Sequence, residues 1–216
     1  SSTAAVYGSP EKTPIREDAE TRPINPYGRT KRIIEMALAD RGGQEDGFGY
    51  TALRYFNVAG AALDGSLGED HEPETHLIPN TLKTALGTLD QLTLFGDNYA
   101  TPDGTCIRHY IHVEDLVDAH LRAMEALRPG DHRTFNLGIG KGISVLEIIE
   151  AARAVTRHEI PVEIGPRRPG DPDELWADPS HIAQELGWRA RITDVHTMIE
   201  SAWNWMRVHP TGYAGD

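Results

Sequence analysis

A single cysteine, Cys106, stands in 216 residues, so no internal disulfide can staple the chain and a packed core must hold it together. That usage suits a reducing compartment, and a cytoplasmic location is expected. Basic residues are scarce: 21 Lys and Arg against 33 Asp and Glu leave a formal net charge of -12. This is the wrong sign for a nucleic-acid surface, although a local basic cluster can still hold a phosphate. No apolar run approaches the ~18 residues of a membrane-spanning helix, so no membrane partner is expected. The opening SSTAAVYGSP lacks an initiator Met, and it has neither the charged start nor the apolar centre of a signal peptide. It reads as cut into rather than started.

What is present is a globular composition, with 39% apolar residues to fill a core. Residues 9–25 are rich in Pro, Glu, Asp and Thr and read as a surface loop. Asn25 and Pro26 form a helix-start signal, and Ile33, Ile34, Ala37 and Leu38 form an apolar stripe that stops near Gly42 and Gly43. A buried strand is expected at 50–56, then a long polar binding loop from Asn57 to about Thr75. Further helices are expected near 77–87, 114–127 and 144–157, with two more ending at about 208. Strands are expected at 92–95, around YIHV, at TFNLG and at VEI. Val195, Met198, Ile199, Ala202 and Met206, with Trp203 and Trp205 nearby, mark a packed last helix. Strands alternating with helices give an α/β architecture with a mostly parallel sheet.

The segment INPYGRTKRIIE places Tyr27 and Lys31 one helical turn apart, on one face. A cation beside a phenol favours the phenolate and makes a usable general base. Thr3, expected at the end of a strand, supplies a hydroxyl that can share a substrate hydroxyl with Tyr27 while hydride leaves the same carbon.

SSTAAVYG followed by NPYGRTK resembles the extended short-chain dehydrogenase/reductase family, which pairs Ser or Thr with Tyr-x-x-x-Lys. LRYFNVAGA, HLIPN, LTLFGDNYATPDGTCIRHYIHVEDL, FNLGIGKGISVLE and RRPGDPDELWAD resemble, in order, segments of its UDP-glucose 4-epimerase branch. The resemblance implies an isomerase of galactose metabolism that oxidises the sugar at C4 with NAD and reduces it on the opposite face. It implies Tyr27 as base, Lys31 as its tuning cation and a ribose contact, Thr3 as proton relay and Phe56 near the cofactor. For substrate it implies Arg108 and Arg168 on the diphosphate, Asp171 on a ribose, Phe95 beside uracil, and Asn57, His76 and Leu77 as further contacts. Leu175 stands where some members carry a pocket-narrowing tyrosine, so N-acetylated UDP-sugars are expected to fit. Members are often homodimers. Other UDP-sugar 4-epimerases, acting on UDP-GlcNAc, UDP-glucuronate or UDP-xylose, and a non-catalytic UDP-sugar-binding module stay open as alternatives.

Departures qualify the picture. His109 stands where the pattern has Asp, which removes a carboxylate that could orient Arg108. His109 and His112 fall on opposite faces of a strand, wrong for a shared metal. GIGKG at 138–142 lacks the last glycine of G-x-G-x-x-G and reads as an ordinary turn. The Gly-rich segment that grips the NAD pyrophosphate is therefore expected outside these residues. The expected fold is the C-terminal part of a Rossmann-type parallel sheet plus a smaller mixed α/β substrate-binding lobe. Residues 1–56 and about 114–138 would belong to the NAD-binding domain, and about 57–113 and 139–216 to the UDP-sugar lobe. The isolated piece is expected to be inactive, with an uncovered sheet edge.

Overall fold

The protein is described here by a computed structural model that covers residues 1–45 and 47–213. The first residues run beside the strand β1 (Tyr50–Arg54): Ser2 N donates to Leu53 O at 2.8 Å and Ala4 N to Tyr55 O at 2.9 Å. Thr3 then caps a 3₁₀ turn, Ala4–Tyr7, where the sequence suggested a strand end. The helix α1 spans Pro26–Gln44. Asn25 Oδ1 accepts from Gly28 N at 2.7 Å, and Pro26 occupies a first-turn position where no donor is lost.

The helix ends at Gln44, close to the expected stop near Gly42 and Gly43, and the His132 ring lies against Gly42 where a side chain would collide with it. One expectation for α1 fails: its apolar stripe does not face the core, because Ile33, Ile34 and Met36 are exposed and the buried positions are Gly28 and Glu35. A partner for Arg54, described below, decides which face turns inward.

The expected strand at 50–56 divides into β1 and β2 (Asn57–Ala59), so the long loop begins later than its sequence suggests. There follow α2 (Leu77–Ala85), β3 (Leu92–Phe95), β4 (Ile107–His112), α3 (Val113–Glu125) and β5 (His132–Asn136). The chain continues with β6 (Gly142–Ser144), α4 (Val145–Thr156), β7 (Val162–Gly165), β8 (Glu174–Leu175), α5 (Ser180–Leu186) and α6 (Val195–Met206). Short β6 and β8 escape a sequence reading because two or three residues carry no periodicity.

Among the described residues the strands form three sheets: β1–β5, β3–β7, and a third in which β4 pairs with β2, β6 and β8. Only β4–β6 is antiparallel. Helices and parallel ladders alternate as an α/β protein requires, although in separate short sheets.

Two main cores result. One joins α2, α4 and α6 through Leu82, Ile148, Ile149, Met198 and Ile199, all fully buried. Each such side chain contributes about 1.5–3 kcal/mol. Ser144 fixes the start of α4 through a capping box with Glu147. The other core packs β1, β4, β5, α3 and α5 around Ile111, Phe135, Leu137 and Ile182. A satellite cluster of Ala4, Val6, Tyr7 and Ile15 seats the 3₁₀ turn.

Candidate active site

The Tyr27–Lys31 pair stands at the start of α1, with Lys31 Nζ 5.9 Å from the Tyr27 ring centroid. Lys31 Nζ also donates to Ser1 O at 3.1 Å, tying the helix to the segment that carries Thr3. Thr3 Oγ1 accepts from Ala5 N at 3.2 Å. Its own proton therefore stays free to be donated. Gly28 permits the closeness of these pieces, because a side chain there would meet Ala5 O at 2.4 Å. Thr3, Tyr27 and Lys31 are thus brought to one edge of the molecule, with no hydrogen bond between Thr3 and Tyr27.

Behind them lies a buried network the sequence reading missed. Arg54 donates from Nε to Glu35 Oε1 at 2.8 Å and from Nη2 to Oε2 at 2.7 Å. Arg54 Nη1 donates to Tyr7 Oη at 2.9 Å, and Tyr7 Oη to Asn136 Oδ1 at 2.7 Å. Ser2 Oγ also donates to Glu35. Burial alone would raise the Glu35 carboxyl pKa, but the hydrogen bonds and charge of Arg54 outweigh it and hold it low. Burial raises the Tyr7 phenol pKa. The available signal was Arg54 itself, an arginine in an otherwise apolar strand, which must be paired when buried.

A second feature is a cleft of about 870 Å³, within the range of small-molecule sites. Its walls include Asn57, His76, Leu77, Phe95, Arg108, Arg168 and Asp171, each already singled out from the sequence. Thr3 and Leu175 are not among its walls. Leu175 sits on β8 in register with Arg108 and packs against the cluster of the 3₁₀ turn. Phe56 is half-buried against that same cluster, with its ring edge to His109 at 5.2 Å.

Arg108 is oriented despite the missing acid at 109. Its Nη1 donates to Ile107 O at 2.8 Å and Pro172 O at 3.0 Å, and Nη2 lies 3.3 Å from Asp171 Oδ1. That last contact is an ion pair without hydrogen-bond alignment, so Nη2 remains a buried donor lacking a hydrogen-bond partner. A buried orphan donor in a cleft wall calls for an acceptor. Arg168 lies with its guanidinium 4.0 Å from the Phe95 centroid, and Arg167 stacks likewise on Tyr99 at 4.0 Å. The adjacent arginines are therefore held on aromatic faces, where a solvated pair would be the default.

His109 does something else. Gly140 N points at its Nε2 and Ala177 N at its Nδ1, both at 3.1 Å. Burial pushes its pKa down to about 4, so the ring is neutral and carries one lone pair for two amides. An aspartate would accept from both. His112 instead accepts from Glu114 N at 3.2 Å and meets Ser201 Oγ at 3.1 Å, so the two histidines do not converge.

The donor set fits NAD at its nicotinamide end. A phenol and an ammonium one turn apart, on an accessible helix face beside a free hydroxyl, can meet a ribose and a reacting sugar hydroxyl. GIGKG does not offer a pyrophosphate cradle: Gly138 is pressed against the His109 ring, and β6 begins at Gly142. Arg108 and Arg168 lie instead in the walls of the 870 Å³ cleft.

Fold and site together define an α/β protein with a Tyr-x-x-x-Lys helix edge and a cleft walled by Arg108 and Arg168. Residues 1–138 match the NAD dependent epimerase/dehydratase family, and the chain belongs to that family. It is 53% identical over 216 residues to the UDP-glucose 4-epimerase of Lactobacillus helveticus, covering 99% of this chain and 64% of the relative. A crystal structure of a UDP-glucose 4-epimerase superposes with a TM-score of 0.94 at 49% identity, over 99% of this chain and 65% of the other. The Bifidobacterium longum UDP-glucose 4-epimerase, in complex with NAD+ and UDP, gives 0.92 at 41% identity, over 99% and 64%. The chain thus spans a little under two thirds of the proteins it matches.

Proposed function

We propose that the full-length protein carrying this chain interconverts UDP-glucose and UDP-galactose. A nucleotide-sized cleft walled by two arginines, Arg108 and Arg168, carries this reading, since a diphosphate is the anion that such a pair of cations fits. Arg168 adds a second cation over Phe95, whose ring can flank uracil. Asp171, beside Arg108, faces a ribose hydroxyl, and Asn57, His76 and Leu77 line the route to the sugar.

Bound NAD supplies the acceptance and return of hydride at sugar C4. Tyr27 takes the proton from the C4 hydroxyl and gives it back on the return, Thr3 relays it, and Lys31 holds its ammonium 5.9 Å from the Tyr27 ring centroid. With the diphosphate anchored by Arg108 and Arg168, the sugar alone has to turn over for its opposite face to be reduced. The reading divides the chain into a cofactor part, residues 1–56 and about 114–138, and a nucleotide-sugar part, about 57–113 and 139–216; one core lies wholly within the second part, while the other joins the two through Ile111, Ile182 and Trp188. The exposed Ile33, Ile34 and Met36 on α1 support a homodimer. The reading places the protein in cytoplasmic galactose metabolism; no helix among the described residues is long and apolar enough to cross a membrane.

The test is to incubate the full-length protein with UDP-galactose and follow UDP-glucose by chromatography. Conversion to an equilibrium mixture is expected; UDP binding with no conversion would contradict the catalytic reading.

A further inference from the structure

The loop before α2 collects a cluster of which the proposed reaction uses only His76, as a substrate contact. His71, Glu74 and His76 each bring one ligand atom to within 4.8 Å of the other two. Glu74 Oε1 is 3.8 Å from His71 Nδ1 and 2.9 Å from His76 Nδ1. Glu69 Oε1 lies 3.2 Å from His76 Nδ1, next to this set of three but outside it. Metal–ligand bonds of about 2.0–2.1 Å at tetrahedral angles put neighbouring ligand atoms about 3.3–3.4 Å apart, and the three separations straddle that value.

The frame is built rather than incidental. The Glu74 side chain is 4% exposed, and its Oε1 accepts from Thr75 N at 2.7 Å and His76 N at 2.6 Å. The carboxylate is thereby aimed and held at the start of α2. The loop is also tied at Asp70, whose Oδ2 accepts from Tyr213 N at 2.9 Å. The His71 and His76 rings stand 5.4 Å apart between centroids, both open to solvent on one side, so a cation has an entry path.

We propose that His71, Glu74 and His76 form a binding site for a divalent cation of the zinc class, with the neighbouring Glu69 turning in as the fourth ligand when the cation binds. Two imidazoles with two carboxylates suit Zn²⁺, Co²⁺ or Ni²⁺ and disfavour Mg²⁺ and Ca²⁺, which take oxygen ligands. Glu74 and His76 also line the cleft, so the cation would rivet the loop to the cleft rim and the start of α2.

The probe is ZnCl₂ titrated calorimetrically into the untagged, chelator-treated full-length protein, with CoCl₂ in a parallel optical titration. Saturable one-to-one binding is expected, weakened at least ~10-fold by His71→Ala and by Glu69→Gln. Cobalt is expected to give the strong visible bands of a tetrahedral site. Melting temperature without metal, measured on the same variants, separates a lost ligand from a damaged fold. Absence of saturable zinc binding overturns the proposal, as does equal zinc affinity in the wild type and both variants. The weak visible bands of six-coordinate cobalt overturn the four-ligand assignment.

Discussion

Arg54 and Glu35 form a bidentate ion pair at 2.8 and 2.7 Å, with both side chains 6% exposed, joining β1 to the helix that carries Tyr27 and Lys31. Tyr7 and Ser2 complete the arrangement from the segment that carries Thr3. One buried charge pair thus holds both parts of the edge that carries Thr3, Tyr27 and Lys31.

Removing one partner leaves the other charged and unpaired. Glu35→Ala is expected to destabilise the full-length protein by about 3–5 kcal/mol, read as a shift in the urea midpoint at unchanged slope. A loss below about 1 kcal/mol would mean that water reaches Arg54.

His109 makes stability fall in acid. Its folded-state pKa is lowered from 6.5 to about 4, so above pH 6.5 the ring is neutral in both folded and unfolded chains. As pH falls through 6.5 the unfolded chain takes up a proton that the folded chain refuses until about pH 4. Stability is lost across that window, by roughly 3 kcal/mol. Comparing urea unfolding at pH 7 and pH 4.5 for wild type and His109→Asn isolates this contribution, since the other titrating groups are shared. An identical acid loss in both would show that His109 is accessible to protons.

Arg108 is the less exposed of the two cleft-wall arginines and is expected to be the stronger anion contact. Arg108→Met is expected to weaken UDP binding by about 10- to 150-fold, the loss of a hydrogen bond to a charged group. Arg168→Met, at an exposed stacked position, is expected to cost less. Calorimetry with UDP ranks them, and the reverse order would move the diphosphate away from Arg108.

Leu175 lies in register with Arg108 and against the 3₁₀ turn that follows Thr3. Leu175→Tyr is expected to reduce turnover of N-acetylated UDP-sugars more than that of UDP-galactose. Equal reductions would remove Leu175 from the selectivity of the pocket.

The seven cleft-wall residues were legible because each sits in a recognisable segment, and strands and helices bring those segments together along predictable directions. The helical runs at α2, α4 and α6 were legible because apolar periodicity and capping agree there. The inward face of α1 was not. Periodicity pointed to Ile33 and Ile34, whereas the buried position is Glu35, drawn in by Arg54 from a strand whose partner no local pattern reveals. Arg108 was misjudged for a similar reason: its orienting acid, Asp171, comes from far along the chain, not from position 109. Tertiary pairing of charges leaves little trace in local sequence.

The central claim is that Tyr27 moves the proton at the sugar C4 hydroxyl. The most direct measurement is kcat for UDP-galactose conversion by the full-length Tyr27→Phe variant, alongside its UDP affinity. The account predicts a fall of at least ~100-fold in kcat, with UDP binding retained because Tyr27 is not a wall of the cleft. Near-normal turnover with intact UDP binding would contradict it.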